Sequence, residues 1–333
     1  MLNVAIIGGG YIAECHITAY NALDRDLAVL SAVVDANPVS GKIAAEKAGC
    51  PWFETLEEAM ERCPIDVVDI CVPTFLHEMF TLKAAANGKH VLCEKPVTLS
   101  LESFDRMYAG CKENNVKFMT GQIVRFTSEF ADFASRIKDG QLGNIHMLTE
   151  KRLCQHPTWT TWHRDPSKSG GGLFDLNTHD IDYIYSLFGL PKSVSAVGWK
   201  TDTGCWNHVS TLLRWEDKQA ICETSLEMTG DFPFSVEVRA SGDAGTLHYH
   251  ATAGVNIKDA ETLGSFMHYP AGEAPQAVDS PQYDPFLREI ESFMLAVKND
   301  TQVPIPPEQT RDVLRILLAT KESLETGKTV SLA

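Results

Sequence analysis

The stretch Val4-Ala5-Ile6-Ile7-Gly8-Gly9-Gly10-Tyr11-Ile12-Ala13 decides the fold of this 333-residue chain. Val4–Gly8 is a short β-branched run that reads as a strand, and Ile12–Leu23 continues as an amphipathic helix. Between them lies G-x-G-x-x-A. Gly8 permits the tight turn, Gly10 lets the backbone approach a pyrophosphate, and Ala13 is small enough for close helix–strand packing. The helix start at Tyr11 and Ile12 offers free N–H groups to phosphate. A glycine turn alone is a weak signal; a strand before it and a helix after it supply the context of a dinucleotide site. Asp35 closes the next predicted strand. A carboxylate there accepts the ribose hydroxyls of NAD and repels the 2′-phosphate of NADP, and no Arg follows in Asp35-Ala36-Asn37-Pro38. The expected cofactor is NAD rather than NADP; the competing reading of Asp35 is a cap on the following helix or turn.

Outward from this turn the same grammar repeats. Strands are expected at Ala28–Asp35, Val67–Val72, Val91–Cys93 and Val116–Thr120. Helices are expected at Pro38–Gly49, Leu76–Asn87 and from about Ser100 to Asn114. Strands alternating with helices predict a parallel sheet with crossover helices. Beyond about residue 122 the period changes to two. From Val194 to Ala251 residues alternate in and out, with turns at Thr201–Gly204, Glu216–Lys218 and Ser241–Gly245, the pattern of a half-buried antiparallel meander. Helices around Pro285–Lys298 and Glu308–Thr326 finish the chain. The expected fold class is α/β: a Rossmann domain over residues 1–121, then an α/β domain over 122–333 built on a large, predominantly antiparallel sheet.

Composition sets bounds on partners. Apolar residues make up 44% and charged residues 22%, and the formal net charge of −15 disfavours a nucleic-acid backbone. No apolar run approaches the roughly 20 residues of a membrane span, and the start of the chain does not read as a signal peptide. Nine cysteines, without a C-x-x-C pair, fit a reducing compartment and hence a cytoplasmic protein.

Two segments carry chemistry. Cys93-Glu94-Lys95-Pro96 lies at the carboxyl end of a predicted parallel strand, the edge where open α/β sheets bind ligands. A Lys there can donate to a substrate oxygen beside a bound nicotinamide; a surface Lys after a strand is the plainer alternative. Gly170-Gly171-Gly172-Leu173-Phe174-Asp175-Leu176-Asn177-Thr178-His179 joins a glycine-rich approach to a helix that sets Asp175 and His179 four residues apart on one face. His179 can take a hydroxyl proton, and Asp175 can hydrogen-bond substrate or act as a helix cap.

With these pieces in order, the chain resembles the Gfo/Idh/MocA oxidoreductases, which include inositol and sugar dehydrogenases. The resemblance spans essentially the whole chain: the glycine loop, Asp35, Pro73-Thr74 with His77, Glu94-Lys95-Pro96, the run Gly121-Gln122-Ile123-Val124-Arg125-Phe126, Gly170–His179, and the closing stretch Phe286–Leu332. It implies a catalytic set matched by Lys95, Asp175 and His179. It implies that Glu94 lies near the nicotinamide ribose, that Pro73, Thr74, His77 and Gln122 belong to the cofactor cleft, and that Lys95–Pro96 is cis. It also implies a homodimer or homotetramer packed through the open face of the C-terminal sheet. One departure stands out: Asn177 occupies a position that is usually Gly, with an amide that could reach substrate or a backbone that simply tolerates the same conformation.

The implied activity is hydride transfer from a secondary alcohol of a sugar, inositol or related polyol to NAD. Redox-neutral sugar hydrolysis or epimerisation, and non-catalytic sensing of a sugar or nucleotide, remain as alternatives on the same scaffold. Trp162 and His163 could stack on and hydrogen-bond a polyol, or belong to an oligomer contact. Arg125 and Arg152 are candidate substrate or structural cations, and Tyr283 a candidate pocket hydroxyl. His248 and His250 share a strand face, but no cysteine or carboxylate cluster in the sequence completes a ligand set, so no metal is expected.

Overall fold

The structure is a computed structural model that describes residues 1–157, 161–254 and 263–332. It divides into two compact units, Met1–Phe126 with Tyr283–Arg311, and Thr127–Gln282 with Asp312–Ala333.

In the first unit the chain runs β1 (Leu2–Ile7), α1 (Tyr11–Ala22), β2 (Ala28–Val34), α2 (Pro38–Ala48), β3 (Trp52–Phe53), α3 (Leu56–Arg62) and β4 (Val67–Ile70). It continues with α4 (His77–Ala86), β5 (His90–Cys93), α5 (Leu101–Glu113) and β6 (Phe118–Thr120). The six strands form one parallel sheet in the order β3-β2-β1-β4-β5-β6, the doubly wound arrangement of a Rossmann domain. Local chemistry fixes the helix ends. Asn37 caps α2 by accepting from Val39 N, Pro38 sits at its first position, and Gly49 ends it in the left-handed region. Ser100 caps α5 in the same way, accepting from Ser103 N.

In the second unit α6 (Ser128–Lys138) and β7 (Ile145–Leu153) precede the short α7 (Pro166–Ser169) and α8 (Gly172–Asp175), then α9 (Asn177–Phe188). The strands β8 (Ser193–Lys200), β9 (Trp206–Arg214), β10 (Gln219–Ser225), β11 (Ser235–Gly242), β12 (Gly245–Thr252), β13 (Leu263–Pro270) and β14 (Gln276–Ala277) follow. With β15 (Val330–Ser331) near the end of the chain they make a nine-stranded sheet ordered β14-β13-β12-β11-β7-β10-β9-β8-β15. The expected meander is present, but β7, which the alternation did not single out, sits at its centre and pairs parallel to β10. All other pairs in this sheet are antiparallel.

One face of the sheet buries Leu148, Val194, Leu213, Ala220, Ala240 and Leu247. The other leaves Val197, Trp199, Ile221, Leu263 and Tyr269 exposed, so the sheet is open on that side. His248 and His250 lie on this open face, His248 beside Glu237 at 3.2 Å.

The units do not follow a single cut at residue 121/122. After β14 the chain returns to the first unit as α10 (Pro285–Lys298), and α11 (Pro307–Thr326) contains the later boundary. The reason is apolar matching: Ile290, Phe293, Met294 and Val297 of α10 share one buried cluster with Ala19 and Tyr20 of α1, with Leu23 just after it, and with Val4, Val67 and Leu92 of the sheet. All nine cysteines are free thiols. Among the described residues no helix is long and apolar enough to cross a membrane.

Candidate functional site

In the first unit the expected cofactor residues converge on the carboxyl edge of the parallel sheet. Gly8 has φ +109°, and a Cβ there would lie 2.7 Å from the Cys71 carbonyl oxygen, so the turn admits no side chain. At Gly10, by contrast, a Cβ would meet nothing within 4 Å. The fold leaves that backbone open to an approaching group, which suits a pyrophosphate at the start of α1.

Asp35 directly follows β2 and is held by three donors. Its Oδ2 accepts from Gly9 N at 2.7 Å and Ser40 Oγ at 3.1 Å, and its Oδ1 from Asn37 N at 2.8 Å. Asp35 therefore shapes the local turn and lies against the glycine loop. These residues fit a nicotinamide dinucleotide.

Pro73 and Thr74 open a short 3-10 turn after β4, with Thr74 buried. His77 is also buried, and its two ring nitrogens face backbone carbonyls, Nδ1 that of Val97 at 3.2 Å and Nε2 that of Val72 at 2.8 Å. Burial lowers its pKa, against the carbonyl contacts. His77 thus ties together the two loops that follow β4 and β5. Glu94 is buried, and its own carboxylate accepts the Lys95 backbone N–H at 3.0 Å. The Lys95–Pro96 bond is cis. Gln122 N donates to Glu289 Oε1 at 2.6 Å. Arg125 reaches Gln309 Oε1 at 2.6 Å, and the Arg288 guanidinium lies 4.4 Å over the Tyr283 ring.

The second unit gathers the other set. The helix expected to carry both Asp175 and His179 is interrupted: Asp175 ends α8, Leu176 separates the two segments, and His179 lies in the first turn of α9. The Gly170–Gly172 approach fixes where α8 begins. Gly170 and Gly171 have φ of +73° and +70°, and Gly172 N donates to Asn207 Oδ1 at 2.8 Å, so the four-residue α8 starts from an anchored turn. His163 Nε2 stands 3.8 Å from Asp175 Oδ2, and the Trp162 ring stacks on His163 at 3.9 Å.

Asn177 is wholly buried, and its amide donates to Thr224 Oγ1 at 2.7 Å and lies 3.0 Å from Cys222 Sγ. Thr224 in turn donates to Asp180, which takes Arg152 Nε at 2.6 Å. The amide of Asn177 therefore belongs to a polar chain that bonds α9 to the sheet, and Arg152 is a structural cation of that chain. Glu150 lies beside it, its Oε1 3.9 Å from Arg152 Nη2; burial, then the Asp180 charge, push its carboxyl well above the usual carboxylate range.

Three residues beside this site carried no sequence signal. Asn207 Nδ2 donates to Glu227 Oε1 at 2.6 Å, and His156 Nδ1 lies 3.4 Å from the same oxygen. They come from three different strands and loops, so no local spacing could have joined them. In the first unit His16, Asp69 and Glu289 were likewise not anticipated. Among the described residues, His16–Asp69–Cys71 and His16–Glu94–Glu289 are the groups whose ligand-type atoms lie within 4.8 Å of one another. Those of His16, Asp69 and Glu94 hydrogen-bond among themselves.

This geometry defines a class: a Rossmann unit joined to an open-faced sheet unit that carries a Gly-rich Asp/His segment. Residues 2–122 match the description "Oxidoreductase family, NAD-binding Rossmann fold", and residues 130–248 match the "GFO/IDH/MocA C-terminal domain". The chain belongs to the Gfo/Idh/MocA oxidoreductase family. It is similar to the inositol 2-dehydrogenase of Rhizobium meliloti (strain 1021), 28% identical over 98% of both chains. It is 31% identical to the 2,7-anhydro-N-acetylneuraminate hydratase of Escherichia coli (strain K12) over 60% of this chain, and that match spans about half (53%) of the hydratase. The fold superposes on levoglucosan dehydrogenase in complex with NADH and levoglucosan with a TM-score of 0.84, at 24% identity over 99% of both chains.

Proposed function

We propose that this protein is an NAD-dependent dehydrogenase that oxidises a secondary alcohol of a sugar, inositol or related polyol. The observation that carries the reading is Asp35, fixed by Gly9, Ser40 and Asn37 against an open glycine loop. When bound, the oxidised nicotinamide supplies the hydride acceptor. Gly8, Gly10, Tyr11, Ile12 and Asp35 hold the dinucleotide, and Pro73, Thr74, Glu94 and Gln122 line its nicotinamide end, with His77 behind them. Lys95 donates a hydrogen bond to the alcohol oxygen, His179 takes the hydroxyl proton, and Asp175 orients the reacting groups. Trp162 and His163 offer an aromatic plate and a donor to a polyol beside Asp175. The exposed apolar face of the second sheet is the surface on which a second copy of the chain packs.

The test is formation of reduced nicotinamide across a panel of inositols, aldoses and sugar acids, with NADP as the competing cofactor. Lys95→Ala should abolish most turnover and leave NAD binding nearly intact; normal turnover in that variant would remove Lys95 from the chemistry. A second reading, redox-neutral conversion of a sugar with NAD retained, draws on the similarity to a relative named as a hydratase. It predicts product without net release of NADH.

A further inference from the structure

The structure holds a buried chain of polar groups that hydride transfer does not itself require. His16 of α1 has no solvent exposure. Its Nδ1 lies 2.8 Å from Asp69 Oδ2 and its Nε2 lies 3.2 Å from Glu94 Oε1. Both partners are carboxylates, which accept. A neutral imidazole has a single N–H, so both contacts are made at full strength only by the doubly protonated ring. The surroundings favour that form: burial, the largest single effect, opposes it, but the Asp69 charge, the Cys71 contact and their hydrogen bonds together outweigh burial and raise the imidazole pKa well above its ordinary value.

Every neighbour supports the arrangement. Tyr20 donates its hydroxyl to Asp69 Oδ2 at 3.0 Å, and Cys71 Sγ lies 3.5 Å from Asp69 Oδ1. The Phe286 ring stands 5.4 Å from the imidazole. Glu289 approaches from α10, its proton retained because burial and Glu94 push its pKa well above the carboxylate range. At Gly121 a Cβ would come within 2.9 Å of Glu94 Oε1, so the missing side chain leaves room for this carboxylate. Glu94 Oε2 then accepts the backbone N–H of Lys95 at 3.0 Å.

We propose that His16 is a positioning residue: by donating to both Asp69 and Glu94 it fixes the Glu94 carboxylate, which in turn fixes the backbone from which Lys95 projects. The inference rests on the proposed function only in taking Lys95 to act on the substrate oxygen. Taking a charge and its partners out of water costs several kcal/mol that an apolar helix residue would avoid. A buried chain that ends one residue from Lys95 gives that cost a use.

The experiment reads the Lys95 amide directly, in the full chain labelled with ¹⁵N-lysine and assigned with Lys95→Arg. In the native protein this amide proton should resonate downfield, as expected of an N–H bonded to a carboxylate. In His16→Leu it should move upfield, and in His16→Gln, whose amide can still donate to Glu94, it should return toward the native position. kcat should fall roughly 10- to 100-fold in the Leu variant, with KM for the polyol changed much less, and recover in the Gln variant. Asp69→Asn preserves size and should show the same upfield movement to a smaller extent, which keeps the test open if His16→Leu does not fold. A Lys95 amide that stays in place in folded His16→Leu or in Asp69→Asn overturns the proposal. So does a displaced amide with unchanged kcat. If the native protein oxidises no polyol, the dehydrogenase reading fails while the amide shifts still decide the role of His16.

Discussion

Replacing Glu289 by Gln tests the charge state of the buried cluster through stability. The side chain is fully buried; Oε1 accepts the Gln122 N–H and Oε2 has no hydrogen-bond partner. Burial first, and Glu94 second, raise its pKa well above the ordinary value, with His16 pulling the other way. An unfolded Glu ionises near about pH 4.3, so above that point unfolding releases a proton that the folded carboxyl retains. The folded pKa is the raised one, so native stability is greatest below the unfolded pKa and declines as pH rises toward the folded value. Within that window the decline from this group is about 1.4 kcal/mol per pH unit. Gln does not titrate and can accept the same N–H. The stability of Glu289→Gln relative to the native protein should therefore grow as pH rises above about 5, by at most about 1.4 kcal/mol per pH unit while the folded carboxyl keeps its proton.

Hydrogen exchange of the β1 and β4 amides, corrected for the chemical exchange rate at each pH, reads the first unit by itself. Groups common to both proteins cancel in the difference to first order. A difference that stays flat across the range would mean that Glu289 is ionised in the fold, and the reasoning from its burial would be wrong.

Arg152→Met should lower the stability of the second unit by about 3–5 kcal/mol, because buried Asp180 loses the guanidinium that pairs with it. Calorimetric melting measures this, and a loss below about 1 kcal/mol would show the pair to be dispensable. Asp35→Ser removes the acceptor shared by Gly9, Asn37 and Ser40. The proposed preference for NADH over NADPH, read by fluorescence titration, should shrink by about 10- to 100-fold, and an unchanged ratio would detach Asp35 from cofactor choice.

Much of the first unit was legible because its signals are local. The glycine turn, Asn37 with Pro38, and the Ser100 cap each act within a few residues, and the predicted strands fall within a few residues of β1, β2, β4, β5 and β6. The Asp175–His179 segment was expected as one helix and is broken at Leu176; the contacts around it, such as that of Gly172 with Asn207, come from residues distant in sequence. The parallel seam between β7 and β10 escaped for a similar reason: periodicity gives the faces of a strand and is silent about its neighbours. The amphipathic face of α10 was recognisable as a helix surface, yet nothing in Ile290, Phe293 and Met294 says which core receives them. His16 reads in sequence as one polar residue on an apolar helix. Its meaning comes from Asp69, within β4, and Glu94, just after β5.

The return of α10 to the first unit has a consequence during synthesis. The Rossmann sheet is translated early, but Ile290, Phe293 and Met294 are made only after the whole Thr127–Gln282 segment. At about 5–20 residues per second the nascent sheet waits on the order of ten seconds with part of its apolar surface uncovered. Most of the second sheet is made in that interval, while its last strand, β15, and the end of α11 follow only after α10 has closed the first unit. A ribosome that stalls within Thr127–Gln282 would leave the nucleotide-binding half with an open core, a species suited to chaperone capture.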